Sequence, residues 1–189
     1  GHVYIKSRGN FQGKYEGIVG RSLGGGGVKI DSIGNIVATD DQGIFAQDLA
    51  AGAVDVKTNG KIDSLQDSIY ARSSGGGVTV DSSGDLTSST GTGIIARDLS
   101  NGDVEVVNDG KIESDDEGIS AVSDGGRVTI TVDSRGDITS DNERGLAAAG
   151  LGASETYLKN DGAIQSSSSG IFAYSYGGGV TVDSTGDIT

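Results

Sequence analysis

Most of the side chains here that could do acid–base or metal chemistry are carboxylates. There are 27 aspartates and glutamates against 14 lysines and arginines, one histidine and no cysteine. Two or three acids converging on one groove, beside an arginine or lysine, equip polysaccharide lyases and hydrolases. Oxygen-rich runs such as Asp40-Asp41, Asp115-Asp116-Glu117 and Asp141-Asn142-Glu143 offer the donor type that calcium takes. A catalytic site usually breaks a repeat in one place. These acids instead recur at regular spacing, as Asp31, Asp81, Asp133 and Asp183 do. We therefore assign no catalytic residue, no metal ligand and no cofactor, and read these aspartates as solvated outer-face or turn residues. The nine-residue glycine–aspartate pattern of calcium-binding β-rolls is missing. His2 is terminal and is the only histidine, which leaves no Ser-His-Asp triad. Without cysteine there is neither a disulfide nor a thiolate site. Gly24-Gly25-Gly26-Gly27 lacks the lysine and following helix of a phosphate loop.

The regularity of the acids belongs to a repeat. Val78-Thr79-Val80-Asp81-Ser82-Ser83-Gly84-Asp85-Leu86-Thr87 returns from Val28, from Ile130 (running through Asp133-Ser134-Arg135-Gly136) and from Val180. A weaker version starts at Val3, Val54, Val104 and Thr156. Copies thus begin at 3, 28, 54, 78, 104, 130, 156 and 180, in steps of 24 to 26 residues. A period in this range marks a solenoid, in which each unit contacts only its neighbours and length counts coils.

Within one copy, Val78 and Val80 alternate with Thr79 and Asp81, as a strand with one buried face requires. A glycine follows in every copy, from Gly9 to Gly186, and a positive φ is the simplest reason for it. One apolar anchor comes next (Ile36, Ile62, Leu86), and then a Gly-Ile-x-Ala run such as Gly93-Ile94-Ile95-Ala96. Ile94 and Ala96 should face inward and Ile95 outward. A glycine corner such as Gly75-Gly76-Gly77 closes the coil. Three short strands in about 25 residues describe an all-β fold, a right-handed parallel β-helix; the hand follows the general rule for parallel crossovers. The expectation is one β-helix segment over residues 1–189 of about seven complete coils. At about 4.8 Å per coil it makes a rod of about 34 Å. The chain begins in a strand and stops inside a copy, as a piece excised from a longer protein would.

The sequence repeat is really two coils, about 50 residues. In-register stacking would place Asp on Asp if every coil were alike, and like charges directly opposite destabilise a sheet. Alternation pairs Asp81 with Lys57, and Asp85 with Lys61 or Lys111.

A formal net charge of −13 repels phosphate backbones and anionic lipid, and no apolar run reaches the roughly 20 residues of a membrane span. We expect no nucleic-acid partner and no membrane insertion of this segment. Thr79, Thr131 and Thr181 share a column, but Lys29, Asp55 and Glu105 interrupt it, which argues against an ice-binding face. The outer column after each Gly-Ile pair is the candidate binding surface. Val19, Phe45, Tyr70 and Ile95 would form an apolar stripe, and such a strip on a charged solenoid can be a contact surface. The competing reading is ordinary stacking between neighbouring coils, or coverage by Arg21, Arg72 and Arg97.

The pattern Gly-Gly-Gly-Val-Thr-Val-Asp-Ser-x-Gly-Asp-Ile, followed by Gly-Ile-x-Ala, resembles the passenger repeats of autotransporter proteins of Gram-negative bacteria, over residues 3–189. The resemblance implies a surface-exposed, extracellular β-helix, and the sequence carries no recognisable serine motif of the passenger proteases, which favours an adhesin or stalk. The expected role is adhesion or self-association, with copies of itself or a host glycan or protein as partner, and open ends would allow stacking end to end. The alternatives are a polysaccharide-acting β-helix enzyme and a passive stalk with no ligand.

Overall fold

A computed structural model describes residues 1–133 and 135–189; Ser134 lies outside the described residues. The chain winds as a parallel β-solenoid of about seven coils with three short strands per coil. Eight strands, from Val3–Arg8 through Val28–Ile33 to Val180–Ser184, form the first sheet. The second sheet has seven three-residue strands, from Phe11–Gly13 to Ile164–Ser166. The third has seven, from Ile18–Ser22 to Ile171–Ser175. Each strand pairs in parallel with its equivalent one coil away, as Val80 does with Val56 and Val106.

Period-two alternation sends one column of each strand inward, and stacking makes these columns continuous. Ile30, Val56, Val80 and Val106 line the first sheet, Ile36, Ile62, Leu86 and Ile112 the second, and Ile44, Ile69, Ile94 and Ile119 the third. All are essentially fully buried. Burial of a Val or Ile contributes about 1.5–3 kcal/mol. No coil could hide these faces alone, so the stack is the source of stability.

The structure corrects three expectations. The copy placed at Ile130 starts two residues earlier, because Val104 pairs with Val128 and Val107 with Thr131. The corner Gly125-Gly126-Arg127 precedes this start, and in the sequence three residues separate Val132 from Gly136 where one separates Ser82 from Gly84. Thr131, not Asp133, therefore stands in the column of Asp81, and Thr129 takes the Thr79 column.

The glycine column is not explained by φ alone. Gly9, Gly34 and Gly60 have φ of 131°, 120° and 141°, while Gly84 and Gly110 are not in the positive region. What Gly34, Gly60, Gly84 and Gly110 share is close stacking on the glycine of the preceding coil. A Cβ on Gly60 would lie 2.4 Å from the Gly34 carbonyl oxygen, and one on Gly84 2.0 Å from that of Gly60.

Finally, Lys57 does pair with Asp81, at 2.5 Å, but Lys61 and Lys111 turn to Asp63 and Glu113 in their own coils. Asp85 is used differently: its Oδ1 accepts the backbone N–H of Lys111 one coil on. Asn10, Asn35 and Asp137 do the same for Asn35, Lys61 and Ala163.

The doubled repeat has a buried counterpart. Ser22, Asp48, Ser73, Asp98, Ser123, Gly150 and Ser175 form the last column of the third sheet, facing the corner. Asp48 and Asp98 are 0% exposed. Asp48 accepts N–H bonds from Ala50 (2.8 Å), Gly52 (3.0 Å) and Gly27 (3.1 Å). Asp98 accepts the equivalent three, from Ser100, Gly102 and Gly77. Ser73 and Ser123 each take two glycine amides and donate to the Gly52 or Gly102 carbonyl. Coils with aspartate corners are longer. Val28 to Val54 and Val78 to Val104 span 26 residues, whereas Val54 to Val78 and Val104 to Val128 span 24.

Candidate binding face

The third sheet's outer surface is built from two columns. The first, in register, reads Val19, Phe45, Tyr70, Ile95, Ser120, Ala147 and Phe172. The second, two residues along each strand, reads Arg21, Gln47, Arg72, Arg97, Val122, Ala149 and Tyr174. Ile44 and Ala46 point into the core, so Phe45 between them must point out. The same holds for Tyr70 between Ile69 and Ala71.

The four candidate residues Val19, Phe45, Tyr70 and Ile95 therefore lie side by side. Val19 is 47% exposed, and the other three are half-buried. The rings of Phe45 and Tyr70 stack face to face, with centroids 5.2 Å apart and planes within 2°. The Arg21 guanidinium sits 5.4 Å from the Phe45 centroid, and its Nε–H donates to Gln47 Oε1 at 3.1 Å. The stack turns ring edges outward and spends the ring faces on its neighbours. Coil-to-coil stacking and an exposed strip are thus both present. Arg21 covers Phe45, and Arg72 and Arg97 stand in the neighbouring column of the same face.

The charge pattern of this face separates it from the other two. Nine of the fourteen lysines and arginines have a carboxylate within 4 Å. Among the described residues, the five without one are Arg21, Arg72 and Arg97 on this face and Lys6 and Arg8 in the end strand of the first sheet. Among the described residues, no outward position of the third sheet holds Asp, Glu or Lys. Arg72 and Arg97 occupy paired positions in adjacent strands, and the Nε of Arg72 is buried with no acceptor.

The acidic loops are engaged locally. Glu117 pairs with Arg144 at 3.4 Å, Asp40 with Lys14 at 3.7 Å, and Asp115 Oδ1 accepts from Asn142 Nδ2 at 2.6 Å. Burial pushes the Asp67 carboxyl above its usual range, against the hydrogen bond from the Thr92 amide, and Asp116 and Asp41 nearby add to the rise. Burial likewise raises Glu117, opposed by Arg144. Among the described residues, no group of three or more His, Asp or Glu is placed to hold a metal ion. The depression lined by Thr87, Ser88, Glu113, Asp115, Thr139 and Asp141 is floored by short polar side chains.

The sequence picked out the aromatic column. It offers the arginines only as cover, because their lack of acid partners depends on where neighbouring coils place their carboxylates. Comparison with protein-family models, curated proteins and solved structures returned no match.

Proposed function

We propose that this chain is a non-catalytic, contact-making segment of a bacterial surface protein of the autotransporter passenger type. On this reading the rod is displayed on the outside of a Gram-negative cell, and the outward face of its third sheet adheres to another surface or to a second rod. The observation that carries the reading is the composition of that face. Phe45, Tyr70 and the three arginines share a surface free of Asp, Glu and Lys, on a chain of net charge −13. Enrichment in aromatics and arginine with depletion of acids and lysine distinguishes the cores of interaction surfaces from ordinary protein surface. A solenoid suits the task, since each added coil extends the same flat face without a new core.

The test is display of the chain on a bacterial surface, followed by cell aggregation and adhesion to immobilised glycans and matrix proteins. Replacing both Phe45 and Tyr70 with Asp should abolish whichever contact the wild type makes, while the purified variant keeps its β-rich circular dichroism. A folded double variant that aggregates and adheres like the parent would reduce the rod to a passive stalk.

A further inference from the structure

We infer that Arg72 and Arg97, with Arg21, form a binding site for an acidic polysaccharide that runs along the solenoid axis and seats its carboxylate or sulfate groups on the guanidinium forks. The inference rests on the contact-face reading above and specifies its ligand.

The first support is unpaired charge. Parallel register sets Arg72 and Arg97 side by side, at about 4.8 Å between strands, where like charges repel. Elsewhere on the rod such columns are relieved by alternation, as Lys57 is between Asp31 and Asp81. Here, among the described residues, no carboxylate intervenes. An oxyanion bridging the two guanidiniums supplies the missing countercharge in the bidentate geometry that arginine favours over lysine.

The second support is insulation from the rest of the molecule. The acid-rich loops enter each third-sheet strand at its start, and the aromatic column lies between them and the arginines. On the other side lies the corner of residues 24–27, 50–53 and 74–77, rich in glycine and alanine, and in the Arg97 coil residues 100–103, which carry one acid, Asp103. A Debye length of about 8 Å at physiological salt makes this local sign count for more than the net charge.

The third support is shape. The face is about 34 Å by 16 Å from coil and residue spacings, or roughly 550 Å². That falls short of the roughly 800 Å² per partner of a stable protein pair. It suits a linear polymer, whose rise per sugar is close to one coil, so successive acidic sugars meet successive coils. Tyr70, at the edge of the aromatic stack, adds a phenol beside Arg72.

The experiment titrates the purified chain with three oligosaccharides of matched length: heparin-derived (sulfated), polygalacturonate-derived (carboxylated) and neutral cello-oligosaccharide. Calorimetry is run at 50 and 200 mM salt. We expect one or both acidic ligands to bind and the neutral one not to. Arg72→Gln with Arg97→Gln should weaken binding at least tenfold, and Lys57→Gln on the first sheet should leave it unchanged.

Equal loss from Lys57→Gln, or binding by the double variant at parental strength, would overturn the site. So would tight binding of the neutral oligosaccharide. Failure of both acidic ligands, with adhesion or aggregation of displayed rods still lost on Phe45→Asp with Tyr70→Asp, would sink the ligand class but not the contact face. A change in sedimentation of the double variant without glycan would instead assign the arginines to an acidic face of a second rod.

Discussion

The buried aspartate corner allows a quantitative trial of how the coils are joined. Asp48→Asn changes one oxygen for an amide nitrogen and leaves volume unchanged. Asp48 Oδ1 takes two amides, from Ala50 and Gly52, and Oδ2 takes that of Gly27. An asparagine can keep its oxygen for the first two. Its NH2 then faces the Gly27 N–H, donor against donor, in a site fully closed to water. One buried amide left without an acceptor costs about 1–3 kcal/mol. The two retained bonds also lose their charge assistance, which roughly halves them. The expected destabilisation is about 3 kcal/mol, and Asp48→Ala, which strands all three amides, should cost about 6 kcal/mol.

Urea titration of the full chain gives the magnitude. Amide hydrogen exchange at Gly27, Ala50 and Gly52 tells whether the loss is local, as nearest-neighbour coupling in a solenoid requires. The sign with pH is also fixed. Burial alone would raise the Asp48 pKa, but the Ser22 hydroxyl and the amides of Gly52, Ala50 and Gly27 outweigh it, so it lies below its ordinary 3.8. The corner's contribution is therefore complete above about pH 3.8 and is lost as the pH falls through the lowered folded value. The difference between parent and Asp48→Asn should narrow only in that acid range. A cost below about 0.5 kcal/mol with unchanged exchange would show that these amides find other acceptors, and the corner argument would fail.

Two further substitutions probe the interior. Gly84→Ala places a Cβ against the Gly60 carbonyl with no positive φ to blame, and overpacking against backbone should cost about 3 kcal/mol in urea melts; a neutral result would return the glycine column to a turn-conformation account. Thr58→Val removes a buried hydroxyl that has no partner from a column where Val132 already stands opposite Asn108, so the variant should gain about 1 kcal/mol. Loss of stability there would mean the hydroxyl is satisfied by internal water.

The coil was legible because its signals are local and repeated. Alternation in Val78–Ser82, the single anchor Leu86 and the Ile94, Ala96 pair each fix a strand and its inward face, and their recurrence fixes the stacking. The two-residue error at Ile130 arose because Ile130-Thr131-Val132-Asp133 imitates Val78-Thr79-Val80-Asp81 better than the true start at Val128 does. Only the corner before Val128 distinguishes them. The Asp48 and Asp98 corners are not legible in the sequence, because a fully buried aspartate cannot be told from a solvated one by composition. Its three amide partners lie up to 21 residues away in sequence. For the candidate face, Phe45 and Tyr70 were readable from alternation alone. The isolation of Arg72 and Arg97 was not, since it depends on which lysines turn sideways to Asp63 and Glu113 and on the second and third sheets facing different ways.

Three properties share the two-coil period, and together they explain why the period persists. Outer charges alternate, as along Asp31, Lys57 and Asp81. Buried corners alternate between serine and aspartate from Ser22 to Ser123. Coil lengths alternate between 26 and 24 residues from Val28 to Val128. A slip by one coil would stack Asp48-type carboxylates about 4.8 Å apart in a closed interior. Their amides are already committed, and uncompensated burial of charge costs several kcal/mol per ion. The exposed pairs could not enforce register at that strength, since each is worth about 0–1 kcal/mol. Register is thus held from inside, at the corners. That leaves the outer face of the third sheet free of any duty in alignment. Its first four coils depart from the alternation, placing Arg72 directly beside Arg97 where a pairing rule would have set opposite charges. A fold whose order is secured elsewhere can tolerate that mismatch, and the mismatch is where a ligand can contribute what the chain withholds.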